Sequence, residues 1–266
     1  MNTDTVRQLT VAVSAVLGIV GAFIGSGAAG GTPIAEAAGG ALSADATLIA
    51  PAGPAFAIWT AIYLGLLAYT VWQFLPTQRT DARERRLGYP IAASLLLNAA
   101  WILIVQAGAI WASVIIIVVL LGVLNQVFRT LRHLPARSIP AAIIVDGTMG
   151  LYLGWVCVAT AANITAALVD SGFNGFGLRP EAWAVSLLVV IGVIGALLAW
   201  WGRGRLAPTA AIAWGLAWVA VGRLADQPES TATGITAIVV AVALVVLTVV
   251  LRMRSARGNE QAPRVV

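Results

Sequence analysis

Charge is what this chain has least of. Of 266 residues, 10% are charged and 60% are hydrophobic, whereas a soluble domain carries about 25% charged residues. Lysine is absent, so all 16 basic residues are arginine. The single cysteine, Cys157, rules out an internal disulfide. The single histidine, His133, argues against a bis-histidine haem or a multi-histidine metal site. Cys157 falls inside an apolar run and reads as a small core residue, while His133 sits among arginines and reads as solvated. There is no phosphate loop, dinucleotide fingerprint, HExxH or CxxC. With the histidine outside the apolar runs, no Ser–His–Asp set can assemble within a membrane. Hydrolase and metalloenzyme chemistry therefore have little to stand on.

Long apolar runs are abundant. Each is about 20 residues long, enough to cross a hydrocarbon core of about 30 Å. They are continuous rather than alternating, which argues for helices and against a barrel. The expected fold is all-α and membrane-integral, with about eight transmembrane helices over 8–27, 54–75, 90–107, 109–128, 139–169, 182–201, 206–224 and 231–252. Arginine placement orients the bundle. Arg7, Arg79, Arg83, Arg85, Arg86, Arg129, Arg132, Arg137, Arg203, Arg205, Arg252, Arg254, Arg257 and Arg264 share one side, leaving Arg179 and Arg223 on the other, a 14-to-2 split. By the positive-inside rule both termini are cytoplasmic. The same rule accounts for the net charge of +5, so nucleic acid is not an expected partner. The arginine-only basic content suggests a high-GC bacterial genome and a bacterial cytoplasmic membrane.

The longest connection, 28–53, lies on the outer side, rich in Gly and Ala with two acids and no base. Such a loop is a lid, a binding loop or disordered. The first span could also be a cleaved signal peptide, since Arg7 precedes it and Gly27-Ala28-Ala29-Gly30 follows. The tail 255–266 reads as disordered.

Ten tryptophans divide by depth. Trp72, Trp111, Trp183, Trp200 and Trp201 lie near span ends, as an interfacial belt does. Trp59, Trp101, Trp155, Trp214 and Trp218 lie deeper. At about 100° per residue, Tyr152, Trp155, Ala159 and Asn163 share one arc of a helix. Phe56, Trp59 and Tyr63 share a face by i, i+3 and i+4 spacing, and Asn98 pairs with Trp101. Direction of travel puts these groups at one depth in the outer half, beneath the long loop. An Asn there either joins helices or meets a ligand. Asp146 is the one acid placed inside a span, about two turns from the inner end of the fifth. A carboxylate at mid-membrane costs about 2.5–3.5 kcal/mol, so Asp146 is either a coupling residue or half of an ion pair with a loop arginine.

Three motifs carry a resemblance. Pro51-Ala52-Gly53-Pro54-Ala55-Phe56-Ala57-Ile58-Trp59-Thr60-Ala61-Ile62-Tyr63 resembles the start of the second helix of the tryptophan-rich sensory protein family, which includes the translocator protein, or peripheral benzodiazepine receptor. Asn98-Ala99-Ala100-Trp101 resembles the family's third-helix motif, and Tyr152-x-x-Trp155-x-x-x-Ala159, closed by Asn163, its fifth-helix motif. The match covers residues 1–170. The resemblance implies a five-helix bundle over 1–170, binding a porphyrin, haem or another planar hydrophobic ligand in a pocket capped by loop 28–53. It needs no obligatory cofactor. The pocket residues it implies are Trp59, Tyr63, Asn98, Trp101, Tyr152, Trp155, Ala159 and Asn163, with Phe56 beside them on the second-helix face. Val158 replaces an aromatic and Leu151 a proline of shorter members, and the sterol-recognition pattern after helix five is missing. A three-helix extension over 171–254 carries Trp214 and Trp218 and looks like the longer bacterial branch.

The expected function is a membrane sensor or transport-associated protein that binds a tetrapyrrole. The alternatives are a proton-coupled small-solute transporter using Asp146 and a porphyrin-modifying enzyme, although no acid–base constellation demands the latter. The lipid bilayer is one partner and a homodimer another, although Gly18, Gly21 and Gly25 could equally pack internally.

Overall fold

In hydrocarbon a backbone has no water to bond, so each apolar run closes its hydrogen bonds upon itself. The computed structural model describes residues 2–27 and 29–260. Among these are eight helices long and apolar enough to cross a membrane. They are α1 (Thr3–Gly25), α2 (Gly53–Trp72), α3 (Ala82–Gln106), α4 (Ile110–His133), α5 (Ile139–Asp170), α6 (Pro180–Trp201), α7 (Leu206–Ala225) and α8 (Thr231–Glu260). All eight expected spans are present. Two start earlier than hydropathy suggests, at Thr3 rather than 8 and at Ala82 rather than 90. Their first turns are polar: Asn2 and Asp81 cap them, and Pro90 lies inside α3 rather than at its start. This corrects one expectation. Asp146 is not the only acid within a span, because Asp4 and Glu84 lie inside α1 and α3, with Glu84 only 1% exposed. A second correction concerns the tail: α8 continues through Glu260, past position 255 where disorder is expected. Residues 261–266 lie outside the described residues.

Neighbouring pairs α1–α2, α2–α5, α5–α4, α4–α3 and α3–α1 close a five-helix ring. The extension is not a separate layer beside it. Helix α7 packs along α5, α8 along α7, and α6 along α8. Small residues set these approaches, as is usual where lipid removes the hydrophobic drive between helices. Gly18 and Gly21 of α1 face Leu95 and Ala99 of α3, and Gly25 faces Ile102. The glycine face of α1 is therefore used inside the ring and is not free for a homodimer contact. Gly150 of α5 lies against Ala207 and Pro208, and Gly154 faces the Pro208 carbonyl so closely that a Cβ there would overlap it.

The arginine-rich end is stitched by polar pairs. Arg85 of α3 donates to both oxygens of Asp4 in α1, at 2.8 and 2.6 Å. Gln8 Nε2 donates to the Gln73 carbonyl at 2.6 Å, and Gln73 Nε2 returns a bond to the Gln8 carbonyl at 3.2 Å.

Replacing Gly154 with Ala should lower stability by about 1–3 kcal/mol, because overlap with backbone cannot relax by rotamer change. Gly122→Ala on α4, where a Cβ meets nothing within 4 Å, should leave stability unchanged or slightly raised. Thermal unfolding of both variants in detergent checks the contrast.

Candidate functional site

The deep aromatic residues do converge. Trp59 stacks on Tyr63, with ring centroids 5.3 Å apart and planes 26° apart. Its edge contacts reach Tyr152 at 5.6 Å and Trp155 at 6.5 Å. Phe56 meets Trp155 edge-on at 5.6 Å. Offset and edge-on arrangements are those preferred by aromatic quadrupoles. The helical spacings predict this grouping, since one face of α2 meets one arc of α5.

The amide and phenol groups among them are bonded to protein. Asn98 Nδ2 donates to the Tyr63 hydroxyl at 2.7 Å, and the Tyr152 hydroxyl donates to the Ser94 carbonyl at 3.1 Å. Asn163 Oδ1 accepts from Trp101 Nε1 at 2.8 Å, while its Nδ2 donates to Ser113 Oγ at 3.0 Å. Asn98 and Asn163 are thus helix-joining groups in this state, linking α3 to α2 and α5 to α3 and α4.

A cleft opens on one side of the aromatic cluster. Its walls include Phe56, Trp101, Trp155, Ala159 and Asn163, all expected site residues. Trp59, Tyr63, Asn98 and Tyr152 do not line it and instead form a layer behind it. Residues not expected from sequence complete it: Val158, Ala162 and Ala166 on α5, and Ile34, Leu42, Thr47 and Pro51 among the loop residues. The α5 set was findable, because Ala162 and Ala166 continue the Ala159 arc by three and seven residues. The loop set carries no periodic signal. With the loop seated, the cleft has a cavity volume of only ≈ 50 Å³. Pockets that take a drug-sized ligand measure about 300–1,000 Å³, so the cleft is nearly shut with the loop seated.

The extension is what holds the loop there. Arg223 of α7 is 1% exposed. Its Nη1 donates to the Thr47 carbonyl at 3.2 Å and its Nη2 to the Ala44 carbonyl at 2.8 Å. The Ala52 amide donates to the Trp218 carbonyl at 3.1 Å, and Trp214 Nε1 to the Ala55 carbonyl at 2.8 Å. On the ring side, Gln106 Nε2 donates to the Gly25 and Thr32 carbonyls at 2.5 and 2.8 Å. Within the loop, the Ser43 hydroxyl donates to Asp45 and holds its carboxyl below the usual carboxylate range.

At the opposite end, Asp146 sits in a π turn, Ala142–Gly147. One oxygen pairs with Arg83 of α3 and the other accepts from Arg205 Nη1 at 2.6 Å. Arg205 Nη2 also donates to the Leu131 carbonyl at 2.7 Å. The carboxylate thus ties α3 and α5 to Arg205 at the start of α7, and Arg205 carries the tie on to α4.

A ring of five helices, closed over an aromatic cleft by the loop between its first two, is the arrangement that the sequence resemblance implies. A family profile described as TSPO-like protein matches residues 12–250. The chain belongs to the TSPO-like family. No curated protein matches it, and no solved structure does. In this TSPO-like protein the match runs across both the ring and the three further helices.

Two variants separate the ends of the molecule. Hydrogen bonds from a charged group contribute about 1.5–3 kcal/mol each. Arg223→Gln should therefore speed amide exchange of residues 44–52 at least tenfold while the helices keep their protection. Asp146→Asn leaves two arginines facing each other without their acid and should cost about 3 kcal/mol of stability, read by thermal unfolding.

Proposed function

We propose that this TSPO-like membrane protein binds a planar hydrophobic ligand, a porphyrin or haem first among candidates, in the cleft between α5 and the α1–α2 loop. The observation that carries this reading is the juxtaposition of Trp155 and Phe56 with a smooth alanine face, Ala159, Ala162 and Ala166, beneath a single loop. An aromatic wall beside small side chains suits a flat ring that stacks on one surface and slides along another. The loop must lift for such a ligand to enter, because the seated cleft is too narrow. Its anchors are a handful of hydrogen bonds rather than a packed core, which makes lifting affordable. The cleft walls contain no histidine or cysteine. Haem would accordingly be held by its ring, without an imidazole or thiolate ligand, and metal-free protoporphyrin should bind about as well.

A transport role for Asp146 finds no comparable support, since both its oxygens are engaged by arginines. With the arginine-rich end in the cytoplasm, the cleft opens to the outer side of a bacterial cytoplasmic membrane.

Titration of detergent-purified protein with protoporphyrin, followed by tryptophan fluorescence and the Soret band, tests the reading. Saturable binding is expected, weakened at least tenfold in Trp155→Ala while that variant stays monodisperse. Partitioning without saturation, identical in wild type and variant, would overturn it.

A further inference from the structure

A second recess lies at the arginine-rich end, away from the cleft. It is an open groove of ≈ 410 Å³ between the ends of α4 and α6 and the late turns of α8. By the same measure it offers several times the room of the seated cleft. Arg132, Arg203 and Arg254 line it with Trp200, Trp201 and Leu251, and among the described residues no acidic side chain is in its walls. None of the three arginines has a salt-bridge partner among the described residues.

The groove is built rather than incidental. The α6–α7 turn is tight: Gly202 lies on the Phe128 ring, and a Cβ on Gly204 would collide with the Arg252 backbone. Arg203 between them is held at φ 55°, a left-handed conformation uncommon for a side-chain-bearing residue. Trp201 forms the floor, packed on Phe128 at 5.7 Å. The Arg132 guanidinium lies over the Trp201 ring, 4.7 Å from its centre, and Arg129 approaches the same ring at 5.9 Å. Arg132 Nε is buried without a hydrogen-bond partner. Trp200, 67% exposed, stands beside the groove as a membrane-interface tryptophan does.

We propose that this groove binds the phosphate headgroup of an anionic glycerophospholipid, with Arg132, Arg203 and Arg254 on the phosphate and Trp200 and Leu251 against the upper acyl chain. Guanidinium groups match phosphate oxygens in fork geometry. Basic recesses between transmembrane helices at the cytoplasmic boundary are natural headgroup sites. Helices α4 and α6 end here, and their carbonyl ends oppose an anion with about half a charge each. Three arginines without a carboxylate partner among the described residues outweigh that.

The test is native mass spectrometry of the full chain incubated with equal amounts of phosphatidylglycerol and phosphatidylcholine of matched chains. The wild type should retain phosphatidylglycerol at least fivefold over phosphatidylcholine. The variant Arg132→Gln, Arg203→Gln, Arg254→Gln should lose that preference, and a charge-matched control, Arg79→Gln, Arg86→Gln, Arg137→Gln, should keep it. Equal retention of the two lipids by the wild type would overturn the proposal. So would an equal loss in the control, or displacement of the lipid by millimolar inorganic phosphate, which would mark a free-anion site instead.

Discussion

How closely α5 approaches α7 governs the rest of this molecule. Helix α5 is the most buried of the eight, flanked by the ring on one side and the extension on the other. A helix in that position must be smooth where it meets its partner, and Gly150 and Gly154 let Pro208 rest on its backbone. From Pro208 to Arg223 helix α7 climbs about 22 Å at 1.5 Å per residue. The contact near the arginine-rich end therefore aims Trp214, Trp218 and Arg223 at the loop on the far side. Moving α7 outward by one methyl group would pull Arg223 from the Thr47 and Ala44 carbonyls, and would strain the Arg205–Asp146 pair at its other end.

Lipid supplies no hydrophobic pressure between helices, so van der Waals fit and hydrogen bonding do what burial does in water. The site region shows both. Its rings interlock at edge and face, and its amides bind neighbours: Asn98 to Tyr63, Asn163 to Trp101 and Ser113. These bonds hold the aromatic wall to α3 and α4. The cleft's adaptable side is the loop, whose contacts are mostly side chain to carbonyl.

Much of this was legible in the sequence, for reasons that differ by residue. Apolar length fixes the number of spans, because the bilayer thickness is a hard constraint. Hydropathy reads the membrane rather than the helix, and this is why it starts α3 at Pro90 and overlooks Glu84, nearly two turns earlier. Helical periodicity groups Trp155, Ala159 and Asn163 correctly, yet it cannot say which of two adjacent layers faces a cleft, so Trp59 and Tyr63 fall behind the wall. Arg223 is the clearest miss. Counting charges places it outside, where an arginine is ordinarily solvated. Only the path of a loop more than 170 residues earlier in the chain reveals that backbone carbonyls await it.

That long-range pairing changes what the extension means. In the ring alone the loop would be tied by Gln106 near its start and by continuity into α2. Helix α7 adds a buried arginine, a backbone bond at Trp218 and an indole bond at Trp214. If lifting the loop costs about 3 kcal/mol, the open state is populated roughly once in 150 molecules, and the apparent affinity falls by that same factor. The aromatic wall then sets the intrinsic affinity for the proposed ligand, while the extension sets how much of it is expressed. A contact that loosens α7, at Gly154 or at Asp146, would act on ligand uptake through Arg223 without touching the cleft.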